Sequence, residues 1–89
     1  MEMAMKFLVE IELQFPAEMA VEEKAKVLEG HESRGGELIE DGTIAHIWRL
    51  TGKNGNVGVW EVEDPTALSA ALDSMPSFPY MQTGIRALG

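Results

Sequence analysis

The chain contains no cysteine. It therefore forms no disulfide, and it offers neither a thiolate metal ligand nor a thiol nucleophile. His31 and His46 are its only histidines, too few nitrogen ligands to favour a transition-metal site, and no cofactor is expected. Basic residues are scarce: seven Lys and Arg stand against fifteen Asp and Glu, for a net charge of -8. That balance argues against nucleic acid or an anionic membrane as partner, since both need a basic surface. A small anion stays open, because it needs only one or two local cations. No apolar run approaches the roughly 18 residues of a membrane span. The start, Met1-Glu2-Met3-Ala4-Met5, lacks the basic-then-apolar pattern of a signal peptide, so the expected location is cytoplasmic.

What is present fits one small domain. The chain has 89 residues, 45% hydrophobic and 25% charged, which is ordinary for a globular protein. Residues 1–4 read as a leader and residues 5–89 as a single domain. A chain this short buries a modest share of its surface, and without covalent staples self-association is the remaining one.

From Lys6 the sequence alternates, with Phe7, Val9, Ile11, Leu13 and Phe15 on one side and Lys6, Leu8, Glu10, Glu12 and Gln14 on the other. Period two predicts a half-buried strand, ended by Pro16. Residues 20–41 read as a helix whose inward stripe is Val21, Ala25, Leu28, Glu32, Gly35 and Ile39. Gly35-Gly36 marks a break in it or a close backbone approach, and Gly42 closes it. Residues 43–50 alternate again. Asn54-Gly55 predicts the hairpin turn, and residues 57–62 predict the returning strand. Asp64-Pro65 opens a second helix with Ala67, Leu68, Ala71, Leu72 and Met75 inward, and Pro76 stops it. Residues 80–88 form a last strand. The order βαββαβ gives an α+β, ferredoxin-like sandwich, with two helices on one face of an antiparallel sheet. The other face then carries Leu8, Ile47 or Trp48, and Trp60 or Val59, according to register. That uncovered apolar surface predicts a homo-oligomer.

Several side chains carry chemistry, each with a structural alternative. His46 and Trp48 share one face of their strand, and Arg49 takes the other. Imidazole trades a proton near neutral pH, so His46 reads as a proton carrier beside an apolar wall, or as an inward ring bonded to a backbone carbonyl. Arg49 can clamp a carboxylate through two parallel hydrogen bonds, or pair on the surface with Glu61 or Glu12. Glu32 lies on the helix stripe. A carboxylate pressed toward a core can act as acid or base, although Arg34 or Lys24 could simply pair with it. His31 is expected about 100° away round the helix. Phe78-Pro79-Tyr80-Met81 lines a pocket mouth with the Tyr80 hydroxyl as donor, or forms a rigid corner over the core. The glycines of Gly52-Lys53-Asn54-Gly55-Asn56-Val57-Gly58 sit in a hairpin rather than between strand and helix, so they form no phosphate loop.

Three blocks then fall in a telling order: His46-Ile47-Trp48-Arg49-Leu50-Thr51-Gly52, Asn56-Val57-Gly58-Val59-Trp60-Glu61-Val62 and Met75-Pro76-Ser77-Phe78-Pro79-Tyr80-Met81. With Met5-Lys6-Phe7-Leu8-Val9, Phe15-Pro16 and Asp41-Gly42-Thr43, they make the chain resemble the muconolactone delta-isomerase family over nearly its whole length. The resemblance implies a ferredoxin-like fold and a homo-oligomer, typically a decamer. It also implies a cofactor-free isomerase of aromatic catabolism, in the catechol branch of the β-ketoadipate pathway. The family reaction turns muconolactone into 3-oxoadipate enol-lactone by moving a ring double bond. Members usually extend beyond the last strand, whereas this chain stops at Gly89.

That reaction needs a base at one ring carbon, donors for the charge that develops on the carbonyl oxygen, and a cation for the substrate carboxylate. Residue chemistry assigns His46 or Glu32 as proton carrier and Arg49 or Lys6 as carboxylate holder. Trp48 and Tyr80 would wall the ring. The alternative functions are a cofactor-free monooxygenase on the same fold and a non-catalytic oligomeric module that binds a small acid.

Overall fold

The computed structural model describes residues 4–89. Of the expected leader, all but Ala4 lies outside the described residues. The elements run β1 (Met5–Leu13), α1 (Val21–Glu40), β2 (Ile44–Arg49), β3 (Gly55–Val62), α2 (Pro65–Asp73), a 3₁₀ turn (Phe78–Tyr80) and β4 (Met81–Leu88). The strands form one sheet in the order β2-β3-β1-β4, antiparallel throughout. This is the α+β, ferredoxin-like arrangement expected from the element order.

Alternation builds the core. Phe7, Val9, Ile11 and Leu13 of β1 are buried together with Leu38, Ile44, Trp60, Leu68, Leu72 and Met75. Phe15 packs partly buried against this cluster, but the strand itself stops at Leu13. The register settles the faces. Phe7 pairs with Trp60 and Leu8 with Val59. Trp60 is therefore core, and Val59 lies with Leu8 on the face no helix covers. A register irregularity between Ile44 and His46 leaves Ile44 inward and turns His46 outward.

The helix ends follow local chemistry. The Asp64 carboxylate accepts from the Ala67 N–H at 2.7 Å and caps α2, with Pro65 in the first turn. Gly42 takes φ 88° just beyond α1, and its N–H donates to the Ile39 carbonyl at 3.2 Å. Thr43 N–H donates to Asp41 Oδ1 at 2.9 Å, and hydrogen bonding from Thr43, its side chain first and this N–H second, holds the Asp41 carboxyl below its ordinary range.

Three local expectations are corrected. First, α1 runs unbroken through Gly35-Gly36. Second, its inward stripe is rotated from the expected one. Leu38 is buried and Val27, Leu28, His31, Arg34 and Gly35 are half-buried, whereas Val21 is 78% exposed and Ile39 48% exposed. Third, the β2–β3 turn does not place Asn54-Gly55 at positive φ. Gly52 does that, at φ 78°. The loop is longer than two residues, with the Leu50 N–H donating to the Gly55 carbonyl at 3.0 Å. Asn54 and Gly55 are left free to run extended beside β1, where the Leu13 N–H donates to the Asn54 carbonyl at 2.9 Å.

Candidate functional site

The strand pairings place Ile47 opposite Gly58 and Arg49 opposite Asn56, all on the helix-covered face. α1 crosses above them without fully covering them. Its glycine pair has no side chains to fill the gap, and no atom beyond its immediate neighbours lies within 4 Å of where a Gly36 Cβ would stand. The result is an open cleft of about 530 Å³, within the range of roughly 300–1,000 Å³ usual for small-molecule sites. His31, Glu32, Gly35, Gly36 and Ile39 of α1 form one wall. Ile47, Arg49, Asn54, Gly55 and Asn56 form the other, with Ile11 and Leu13 of β1 as floor and Leu28 of α1 closing the inner end.

The structure thus brings Glu32 and Arg49 to one cavity. Neither takes the surface pairing considered for it. Among the described residues Arg49 makes no ion pair, and Arg34 bonds Glu37 at 2.9 Å rather than Glu32. Glu32 is exposed at the cavity rim rather than pressed into the core.

The other candidates lie elsewhere. His46 and Trp48 pair with Val59 and Val57, which puts them on the uncovered face, where their rings stack at 5.8 Å. The alternation of β2 that sends Arg49 into the cavity sends these two away from it. Lys6 sits opposite Glu61 and Leu88 on that same uncovered face. Tyr80 packs on Phe15 with ring centroids 5.2 Å apart, at the helix-to-strand corner and not among the residues lining the cavity.

Two cavity residues escape the sequence reading. His31 was expected to point away, yet it lines the cleft beside Glu32, because the inward stripe of α1 runs through position 31. Its Nδ1 lies 2.6 Å from Ser77 Oγ, and Ser77 is 0% exposed. Burial lowers the His31 pKa below its ordinary 6.5, and the neighbouring Glu32 carboxylate opposes that shift. The net shift favours the neutral ring. Asn56 is the second. Its Oδ1 is buried without a hydrogen-bond partner, as is the indole Nε1 of Trp60 on the same face of β3. A polar Asn in register with core positions was the available signal.

Comparison with known proteins decides the family. The family described as muconolactone delta-isomerase matches residues 5–89. The chain belongs to the muconolactone delta-isomerase family. Muconolactone Delta-isomerase 2 of Acinetobacter lwoffii is 34% identical, with 94% of this chain and 88% of that protein covered. The Muconolactone Delta-isomerase of Acinetobacter baylyi is 30% identical over the same shares. A crystal structure of muconolactone isomerase at 3.3 Å resolution superposes with a TM-score of 0.87 at 28% identity, covering 94% of this chain and 88% of that one. Like its family, the chain is an isomerase, and its setting is aromatic catabolism. The monooxygenase and binding-module alternatives are not favoured. No helix among the described residues is long and apolar enough to cross a membrane.

Proposed function

We propose that the cleft between α1 and the sheet takes muconolactone, or a butenolide with the same carboxymethyl arm, and converts it into the enol-lactone without a cofactor. The observation that carries this reading is the pairing of opposite walls. Arg49 stands on the sheet side, while Glu32 and His31 stand on the helix side. A guanidinium without an internal partner is a natural clamp for the substrate carboxylate. A proton acceptor on the facing wall is then held over the lactone ring.

The reaction breaks the C–H bond at the ring carbon bearing the ring oxygen. Its electron pair moves through the ring and charges the carbonyl oxygen. The proton returns at the carbon next to the carbonyl, so the substrate neither gains nor loses an atom. One base can serve both carbons because they lie on one small ring. Asn56 lines the cleft, and its side-chain NH₂ is a donor for the developing oxyanion.

The assay is purified protein with muconolactone in heavy water, followed by proton NMR. The expected result is conversion with deuterium entering the carbon beside the carbonyl, with no metal or nucleotide added. Arg49→Gln should raise KM by about tenfold or more, because a charge-assisted bidentate contact is lost. Absence of conversion by the wild type would overturn the reading. The uncovered sheet face is the surface on which copies of the chain would join into a homo-oligomer, with a decamer as the expected size.

A further inference from the structure

We infer that His31, rather than Glu32, is the group that carries the proton, and that Ser77 is the positioning residue that holds its ring in the tautomer able to do so. The inference rests on the isomerase reading above and names the base within it.

Geometry comes first. His31 is on the inward stripe of α1 and lines the cleft, while Glu32 sits exposed at the rim. The ring is tied at one edge. Its Nδ1 is 2.6 Å from the hydroxyl of Ser77, 46 residues further on and fully buried beyond the end of α2. A hydroxyl with no solvent access cannot reach substrate, so Ser77 acts on the ring or on nothing. Nε2 has no protein partner among the described residues.

The tautomer follows from donor and acceptor roles. With Nδ1–H donating to the Ser77 oxygen, Nε2 keeps a free lone pair and is a base. With the hydroxyl donating to Nδ1 instead, the proton sits on Nε2 and the ring cannot accept there. Only the first arrangement survives protonation, since the imidazolium still donates from Nδ1 to the same oxygen. Nε2 takes the proton from the ring carbon, and the released electron pair forms the dienolate. The imidazolium N–H exchanges with solvent across the open cleft, then delivers a proton to the carbon beside the carbonyl, and the ring is neutral again. The charged groups around the ring are Glu32 and Arg34 on α1 and Arg49 from β2. Glu32 favours the imidazolium once it forms, so it assists without touching the substrate.

The test combines tautomer and turnover. Nitrogen-15 NMR of the free protein, with the two histidines told apart by His31→Gln, should find neutral His31 protonated at Nδ1. Ser77→Ala should move the population toward the Nε2–H form. Turnover by His31→Gln should fall about a hundredfold or more, the usual size of a general-base contribution, and by Glu32→Gln less than about tenfold. Ser77→Ala should lower kcat with KM little changed, and the acid limb of the kcat/KM profile should shift with the His31 titration. An active His31→Gln, or a wild-type His31 protonated at Nε2, overturns the inference while leaving the isomerase reading intact. A wild type that does not convert muconolactone overturns the reading, and the carrier role falls with it. The tautomer measurement on the wild type needs no substrate and does not depend on Ser77→Ala, so it stands even where that variant is poorly folded.

Discussion

Asn56 shows how a single residue can be structurally costly and still retained. An amide oxygen buried without a partner costs about 1–3 kcal/mol, and the oxygen of Asn56 is in that state. Leu is nearly isosteric and has nothing to satisfy. Asn56→Leu should therefore leave the thermal midpoint unchanged or raise it, while kcat/KM falls by about tenfold to a hundredfold through loss of the oxyanion donor. Melting curves and turnover measured on the same preparation check this. A variant that keeps full activity would reduce Asn56 to a packing residue. Trp60 differs in kind: its indole N–H is also unpaired, but the ring is core, 1% exposed. Its replacement would unfold the protein before it reported on chemistry.

At the scale of elements, the two glycine sites of α1 separate packing from cavity. A Cβ on Gly30 would stand 2.9 Å from Pro76 Cγ, so the helix approaches the α2 corner only because position 30 has no side chain. A Cβ on Gly36 meets nothing within 4 Å. Gly→Ala in a helix interior is worth about 1 kcal/mol of propensity, so Gly36→Ala should raise the midpoint. Gly30→Ala should lower it, and should loosen the nearby His31–Ser77 contact as well. Denaturant titration of the two variants checks the opposite signs, and equal effects would sink the argument. The same helix shows what the sequence could and could not convey. β1 was fully legible, because Phe7, Val9, Ile11 and Leu13 alternate without exception and period two has one phase. So was the α2 start, because Asp64-Pro65 is a cap with a mechanism. α1 has few large apolar residues and three glycines, so two overlapping stripes fit almost equally well. Both pass through Leu28 and Gly35; the expected one continues through Val21, Glu32 and Ile39, and the fold uses the one through Val27, His31 and Leu38. That shift, smaller than one residue step, is why position 32 reads as inward and position 31 as pointing away. The β2 candidates divide for another reason. Alternation correctly separated His46 and Trp48 from Arg49, but only the position of α1 decides which face of a strand becomes a cavity. The hairpin segment was discounted because glycines there form no phosphate loop, although its Asn54, Gly55 and Asn56 line the cleft through extended backbone.

For the whole molecule the unequal faces of the sheet are the governing fact. One face is packed by α1 and α2 around ten buried apolar side chains among the described residues, with the cleft left open beside them. The other carries Leu8, Val57 and Val59 beside the stacked His46 and Trp48, with Trp48 55% exposed. A chain with net charge -8 repels its copies at long range, so association needs a local apolar surface strong enough to overcome that repulsion. The ridge of Trp48 and His46 lies on β2, an edge strand, beside the valines of β3. Seating this patch against a second copy would bury the aromatic pair without disturbing the cleft on the opposite face. Trp48→Glu combined with Val59→Glu should therefore reduce the mass seen by sedimentation to that of a smaller species. Added salt should partly restore association by screening the new charge. If the helix-side cleft is complete within one subunit, the double variant keeps its affinity for the lactone and loses thermal stability. If turnover vanishes while each subunit stays folded, the site needs a neighbour's residues. A wild type that sediments as a monomer at micromolar concentration would end the argument, because the uncovered face would then be stable in water on its own.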